Sequence, residues 1–318
     1  MKFPTLFRLI SLALAVGLTL GACAPAAAPA PAASPLPPTA ASLTLTDGLG
    51  NTLTLAKPAE HIVSLAPSNT EILYAVGAGG QVVGRDEFSD YPAEAKSLPS
   101  VGGSMGKFDL EAIAKMKPDL VLASGFNTPD LVKSIQDLKI PVYYLQNPTT
   151  LDEMYANLIT VGRLTGREAN AQDLVTSLKN RVKAVAERLG DVKDRPVVFY
   201  ELDGTDPAKP YTSGPGTFID QLIAMAGGQN AGAKLSQQWA QISLEQVVVV
   251  NPDIIFLGDG AYGVTPDMVA ARPGWSVIKA VQQKKIYDFD DNTVSRPTNR
   301  LVDALENLAK VIHPEKYQ

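Results

Sequence analysis

Few residues of this chain have the chemistry or the spacing of a catalytic or metal-binding site. It contains two histidines, His61 and His313, and neither has a partner at metal-ligand spacing. Cys23 is the only cysteine, and the sequence has neither a Walker motif nor a dinucleotide-binding glycine motif after a predicted strand. The carboxylates lie mostly on predicted helix surfaces, where solvation is the ordinary explanation. We therefore expect neither an enzyme nor a resident metal ion or cofactor.

Aromatic, apolar and hydrogen-bonding residues instead gather in the loops between predicted strands and helices. Open α/β sheets bind ligands at the carboxyl ends of their strands, and this mixture of side chains suits a large, partly apolar ligand rich in amides. Any one aromatic side chain could instead belong to the core. Tyr91 and Tyr211, however, lie beside prolines in non-periodic segments, which favours a position in a ligand-binding cleft. The candidate ligand-binding residues are Pro67, Ser68, Tyr91, Met105, Phe126, Tyr211, Trp239, Asn292 and Arg296.

Two glutamates occur at the same place in a repeated segment. Residues 110–121 and 244–255 share a Leu-Glu pair and a Pro-Asp pair at identical spacing, and residues 71–80 loosely resemble residues 219–228. Asp109 and Ser243 are predicted N-caps, which places Glu111 and Glu245 in the first turn of a helix, where the dipole stabilises a carboxylate. The dipole explains each glutamate alone. It does not explain the pair, which we interpret as two docking contacts on the outer surface.

The hydrophobic pattern predicts an α/β protein of two lobes. Short apolar strands alternate with amphipathic helical segments, a pattern typical of parallel sheets with helices on their faces. The longest helical stretch keeps one apolar face at a period of 3.6 residues and could bridge two lobes. We predict an N-terminal lobe over residues 43–160 that includes an initial hairpin, a connecting helix over residues 161–190 and a C-terminal lobe over residues 191–318.

The N-terminus has the features of an export signal. Lys2 and Arg8 precede an apolar stretch that is shorter than the roughly 20 residues needed to span a bilayer. The stretch ends in Leu-Gly-Ala-Cys, which resembles a bacterial lipobox, so we expect a signal peptide over residues 1–22 and lipidation of Cys23. Residues 23–42 are rich in alanine and proline and predict an extended tether. The 28 basic residues are outnumbered by 33 acidic ones, so nucleic acid is not an expected partner.

Several motifs resemble the periplasmic cobalamin-binding proteins, within the iron-siderophore, haem and vitamin B12 binding proteins of ABC importers. They are residues 61–73, 90–96, 101–103, 110–121 and 242–247. The resemblance implies two Rossmann-like lobes joined by one long helix, and contacts of Glu111 and Glu245 with arginines of the importer's membrane subunits. It assigns ligand contacts to Pro67, Ser68, Tyr91, Tyr211, Trp239 and the Asn292/Arg296 pair. Met105 and Phe126 stand where the cobalamin binders carry tryptophans.

Three ligand classes remain open from the sequence. A corrinoid fits loops with few cations, namely Lys107, Lys209 and Arg296, and Met105 and Phe126 could pack against the edge of its macrocycle. Haem could take Tyr91 as its axial ligand, and a neutral hydroxamate siderophore is also compatible. We expect a monomeric, lipid-anchored protein on the outer face of the cell membrane, with an ABC permease and its ATPase subunits as partners. A surface lipoprotein for adhesion or sensing is the alternative from another functional class.

Overall fold

A computed structural model describes residues 42–318, so the expected signal peptide, Cys23 and the tether up to residue 41 lie outside the described residues. The described chain begins with a hairpin against the edge of the N-terminal lobe. The Tyr143 hydroxyl donates a hydrogen bond to the Thr46 carbonyl oxygen at 3.1 Å, and the Gly48 N–H donates to the Tyr144 carbonyl oxygen at 2.9 Å. The hairpin strands are β1 (Leu43–Thr46) and β2 (Thr52–Leu55).

The N-terminal lobe is built on four parallel strands in the order β4-β3-β5-β6. Its strands are almost continuously apolar and buried, as expected for a parallel sheet covered on both faces. The strands are β3 (Ile62–Ser64), β4 (Val82–Arg85), β5 (Leu120–Ser124) and β6 (Val142–Leu145). The helices are α1 (Pro67–Ala75), α2 (Leu110–Lys115) and α3 (Pro129–Asp137), with single 3-10 turns at Gly79–Gln81, Ala93–Ser97 and Ser104–Gly106.

Two consecutive helices lead out of this lobe, α4 (Leu151–Leu164) and α5 (Glu168–Leu189). The Thr165 hydroxyl donates to the Val161 carbonyl oxygen at 2.8 Å, and Gly166 takes a positive φ of 69°, so the chain turns between the helices. The long connecting helix is therefore α5, and residues 161–164 of the expected connector belong to α4. Because α5 packs on α4 and on the last helix of the C-terminal lobe, it joins the two lobes.

The C-terminal lobe has a six-stranded mixed sheet in the order β10-β8-β7-β11-β12, with β9 beside β7. The pairings of β7, β9, β11 and β12 are parallel, as expected, whereas β8 and β10 are antiparallel. The strands are β7 (Val197–Asp203), β8 (Tyr211–Ser213), β9 (Gln229–Asn230), β10 (Trp239–Gln241), β11 (Ile254–Leu257) and β12 (Ile286–Asp288). The helices are α6 (Phe218–Met225), α7 (Leu244–Val250), α8 (Pro266–Ala270), α9 (Lys279–Gln282), α10 (Asn292–Ser295) and α11 (Arg300–Ile312), with 3-10 turns at Gly260–Tyr262, Trp275–Val277 and Pro314–Lys316.

The largest apolar cluster is shared by both lobes. It includes Ile62 and Leu73 of the N-terminal lobe, Leu178 of α5, and Tyr200 and Leu305 of the C-terminal lobe. Each lobe also has one smaller apolar cluster, which lies under its outer helices. The two Rossmann-like units of this α/β fold are thus packed into one core, as well as being joined by α5. In residues 42–318 no helix combines the length and the apolar character that crossing a bilayer requires.

Candidate ligand-binding cleft

A cavity of about 430 Å³ lies between the lobes, and residues from both lobes line it. The N-terminal lobe contributes Phe126, which follows β5, and the loop after β6. The C-terminal lobe contributes the start of α6, the start of β10 and the end of α10. The lining residues are Phe126, Asn147, Pro148, Thr149, Gly216, Thr217, Phe218, Gln238, Trp239, Val294, Ser295 and Pro297. The predicted residues Phe126 and Trp239 therefore line one cavity from opposite lobes.

The cavity wall is apolar and amide-rich, and its lining residues include no charged side chain. Phe126 is 77% exposed and Trp239 is 50% exposed, although both are large apolar side chains. Asn147 and Gln238 add carboxamides. On one side the lobes are bridged directly, since the Gln221 amide of α6 donates to the Thr149 carbonyl oxygen at 2.7 Å. Exposed aromatic surface in a concave site is typical of ligand contact.

Three other predicted residues, Tyr91, Met105 and Tyr211, lie on loops or strand ends outside this lining and expose apolar surface. Met105 is 94% exposed at the tip of a turn, where it adopts a positive φ of 50° between Gly103 and Gly106. Tyr211 is the first residue of β8, and Tyr91 follows β4; both side chains are about half exposed. None of the three is among the residues that line the interlobe cavity.

Pro67 and Ser68 form the first turn of α1 at the carboxyl end of β3. Proline suits the first position of a helix, because an N–H there would have no acceptor within the helix and because its φ is already helical. Ala66 supplies no side-chain cap, so the amide of Ser68 has no cap acceptor. The Ser68 side chain itself is buried. What this turn can offer a ligand is therefore backbone hydrogen bonding.

Arg296 takes part in a network of ion pairs between the lobes. Its Nη1 lies 2.9 Å from Glu71 Oε1 of α1 and 2.6 Å from Asp90 Oδ1, and its side chain is only 15% exposed. Arg300 lies 3.2 Å from the same Glu71 oxygen and 2.6 Å from Asp290 Oδ2. We call Glu71, Asp90, Arg296 and Arg300 the interlobe clasp. The carboxylates of the clasp neutralise Arg296, to which the family resemblance assigns a ligand contact.

The clasp is extended by a hydroxyl and an aromatic ring. The Thr298 hydroxyl donates to Glu71 Oε2 at 3.0 Å, and the Arg300 guanidinium lies 4.1 Å from the centroid of the Tyr91 ring. Burial alone would raise the pKa of the Asp90 carboxyl, but the hydrogen bond and the charge of Arg296 lower that pKa below its ordinary value. Asn292 begins α10, and its carbonyl oxygen accepts from the Arg296 N–H at 3.4 Å.

Sequence analysis missed the carboxylates and the second arginine of the clasp. One signal for them was available, because Glu71 is the only charged residue between Pro67 and Gly80 and directly precedes the apolar residues Ile72 and Leu73. The structure buries it, with 2% of its surface exposed. A buried carboxylate requires a cation or several donors. The loop at residues 147–149 and the start of α6 were missed too, and their composition gives no comparable signal.

The two predicted docking glutamates lie in the first turns of equivalent helices. Asp109 accepts the Ala112 N–H at 2.9 Å and caps α2, and Ser243 caps α7 through the Gln246 N–H at 3.3 Å, so both predicted N-caps are confirmed. Glu111 and Glu245 are both exposed. Their carboxylates are therefore available at the surface, outside the lining of the interlobe cavity.

Comparison with known proteins assigns the chain to a family. Residues 62–293 match the periplasmic binding protein family model. An uncharacterized ABC transporter substrate-binding lipoprotein of Bacillus subtilis is 34% identical, over 87% of this chain and 87% of that protein. A cobalamin-binding protein of Halobacterium salinarum is 30% identical, over 98% of this chain and 85% of that protein.

A solved structure gives the same result for the fold. The periplasmic haem-binding protein RhuT from Roseiflexus, in its apo form, superposes with a TM-score of 0.72 at 28% identity, and the match covers 81% of this chain and 99% of that chain. The α/β fold thus agrees with the family that the sequence motifs indicate. The chain belongs to the periplasmic binding protein family.

Proposed function

We propose that this protein is the substrate-binding component of an ABC importer and that it captures a corrinoid between its lobes. The observation on which the proposal chiefly rests is the pair Phe126 and Trp239, which line one uncharged cavity from opposite lobes. A corrinoid offers an apolar macrocycle edge and a rim of neutral amides. The aromatic walls suit the edge, and Asn147 and Gln238 suit the amides.

The cavity would hold one part of such a ligand, because a corrinoid is larger than a 430 Å³ space. The exposed side chains of Met105, Tyr91 and Tyr211 would extend the contact along the strand-end edges of the two lobes. The backbone N–H groups at the start of α1 could donate to an amide carbonyl of the ligand. This arrangement performs no reaction: its chemistry is capture by burial and by neutral hydrogen bonds.

Charge favours a corrinoid over haem. Haem carries two carboxylates, which would need cations that are free to receive them. Arg296 and Arg300 already pair with Glu71, Asp90 and Asp290. A haem that used Arg296 or Arg300 would have to break those pairs, whereas a neutral ligand would leave them intact. The cobalamin-binding relative from Halobacterium salinarum supports the same ligand class.

Delivery would use the two glutamates of the repeated segment. Glu111 and Glu245 are exposed on equivalent helices of the two lobes, so a membrane partner with two basic contacts could bind both lobes at once. We further propose that lipidation of Cys23 holds the protein at the outer face of the cell membrane, and the similarity to a lipoprotein of Bacillus subtilis supports this.

The ligand class can be tested by calorimetric titration of the purified protein with cyanocobalamin, cobinamide, haemin and a ferric hydroxamate. We expect heat and saturation with at least one corrinoid and none with the other two ligands. Phe126→Ala and Trp239→Ala should each weaken corrinoid binding by about 1–3 kcal/mol, the ordinary value of a buried aromatic contact. Leu138→Ala, an exposed apolar position at the end of α3, is the matched control. Saturable binding of haemin with no response to either corrinoid would disprove the corrinoid assignment.

A further inference from the structure

The helices that carry Glu111 and Glu245 differ at the exposed position one helical turn after the glutamate. In α2, Lys115 follows Glu111 by one helical turn, and its Nζ lies 2.8 Å from Glu111 Oε1. In α7 the equivalent position is Val249, which is 83% exposed. The glutamate of the N-terminal lobe therefore already has a cation beside it. The glutamate of the C-terminal lobe has an exposed valine instead.

Val249 borders a groove of about 310 Å³ on the surface of the C-terminal lobe. Most of its lining is apolar, and Glu245 lies at its margin. The lining residues are Ala231, Lys234, Leu235, Ile242, Glu245, Gln246, Val249 and Val250. Within the part of the chain that the structure describes, Glu245 has no ion-pair partner. The groove thus combines a carboxylate that forms no salt bridge with a largely apolar surface, and Lys234 is the one cation in its lining.

We propose that this groove receives an apolar side chain from the importer's membrane subunit, next to the cation that pairs with Glu245, and that the C-terminal lobe supplies most of the docking affinity. This inference rests on the proposed docking through the two glutamates. Charge complementarity specifies the partner, which must offer a basic and an apolar side chain on one periplasmic loop. At the N-terminal lobe the same loop meets Glu111 already paired with Lys115, so a basic side chain must displace Lys115 and gains less.

The two lobes should therefore bind the importer with different affinities. An importer with two equivalent loops would bind the C-terminal lobe tightly and the N-terminal lobe loosely. The contact at Val249 should depend little on salt, because apolar burial is not screened, whereas the contact at Glu111 should weaken as salt is added.

The inference can be tested by measuring the affinity of the full-length protein for its permease–ATPase complex in lipid nanodiscs. Val249→Lys places a lysine one turn after Glu245, as Lys115 lies after Glu111 in α2. It should weaken binding about tenfold, in line with the burial of one valine side chain. Lys115→Val makes the reverse change and should leave the affinity unchanged or increase it. Leu138→Lys adds the same charge at the exposed apolar residue that follows α3 and should have no effect. Ligand affinity, measured by calorimetry, should be the same in all four proteins.

Two further measurements separate the inference from the docking proposal on which it rests. If Glu245→Arg abolishes binding while Val249→Lys leaves it unchanged, the glutamate docks and the apolar groove does not take part, which overturns the inference alone. If the wild-type protein does not bind the importer, or if Glu245→Arg has no effect, the docking proposal itself is wrong. Sedimentation of the free protein tests the competing occupant: self-association that Val249→Lys abolishes would assign the groove to a second copy of this chain.

Discussion

Trp239 and Trp275 are the only two tryptophans of the chain, and their surroundings are opposite. Trp239 is half exposed and lines the interlobe cavity, whereas Trp275 is fully buried, stacks edge-on with Phe199, and donates its Nε1–H to the Pro207 carbonyl oxygen at 3.1 Å. We expect a corrinoid in the cleft to quench mainly the Trp239 part of the fluorescence, because Trp239 lines the cavity and Trp275 does not. Trp239→Phe should remove most of the quenching and keep a folded protein with the blue-shifted emission of Trp275.

The control for this prediction is Trp275→Phe, which should retain the quenching at a cost in stability because the side chain is buried. Quenching that persists fully in Trp239→Phe would place the ligand away from the cavity. At this scale the sequence could identify Phe126, which follows a predicted strand, and Trp239, which lies in a loop between two predicted helices. It could not identify Arg300 as a partner of Glu71, because the two residues are far apart in sequence and only the fold brings them together.

The interlobe clasp links three elements, α1, the loop after β4 and the segment from Arg296 to α11. Its two carboxylates should contribute unequally to stability. Glu71 is buried between two guanidiniums, so Glu71→Gln should lower the free energy of unfolding by about 3 kcal/mol. Asp90 is half exposed, so Asp90→Asn should lower it by about 1 kcal/mol or less. Urea denaturation at neutral pH measures both.

The pH dependence of the Asp90 contribution has a definite sign. Arg296 lowers the pKa of Asp90 in the folded state, so the contribution is fully present above the ordinary aspartate pKa, about 3.9, and is lost as the pH falls through the lower folded value. Asp90→Asn and the wild type should therefore converge in stability in strong acid. A difference between them that is constant from neutral to strongly acidic pH would show that the pair does not contribute through its charge.

Most elements were predictable because their patterns are local. The buried strands β3, β5, β6 and β11 are apolar runs, and the apolar face of α5 repeats over its whole length. The antiparallel strands β8 and β10 were missed because each has only three residues and mixed polarity, so their pairing depends on the register of Tyr211 with Gln241 and not on pattern. The predicted connecting helix over residues 161–190 is divided in the structure, because the turn at Thr165 and Gly166 ends α4 before α5 begins.

For the whole molecule, the decisive feature is the apolar cluster that both lobes share. Because Leu73, Leu178 and Leu305 belong to one cluster, the two lobes share the largest part of their apolar core. We expect residues 42–318 to unfold in a single transition, with equal calorimetric and van't Hoff enthalpies. Scanning calorimetry measures this, and two resolved transitions of comparable enthalpy would show that the lobes are independent. A corrinoid should raise the single midpoint.

The shared core also determines whether this protein can open by itself or needs a partner to separate its lobes. Lobes that hinge freely could release their cargo by a thermal fluctuation, but here separating them strains a packed interior, the clasp and the hydrogen bond from Gln221 to Thr149 together. The free protein should therefore retain its bound ligand. The force that opens it has to come from outside, through a partner that holds each lobe at a separate point.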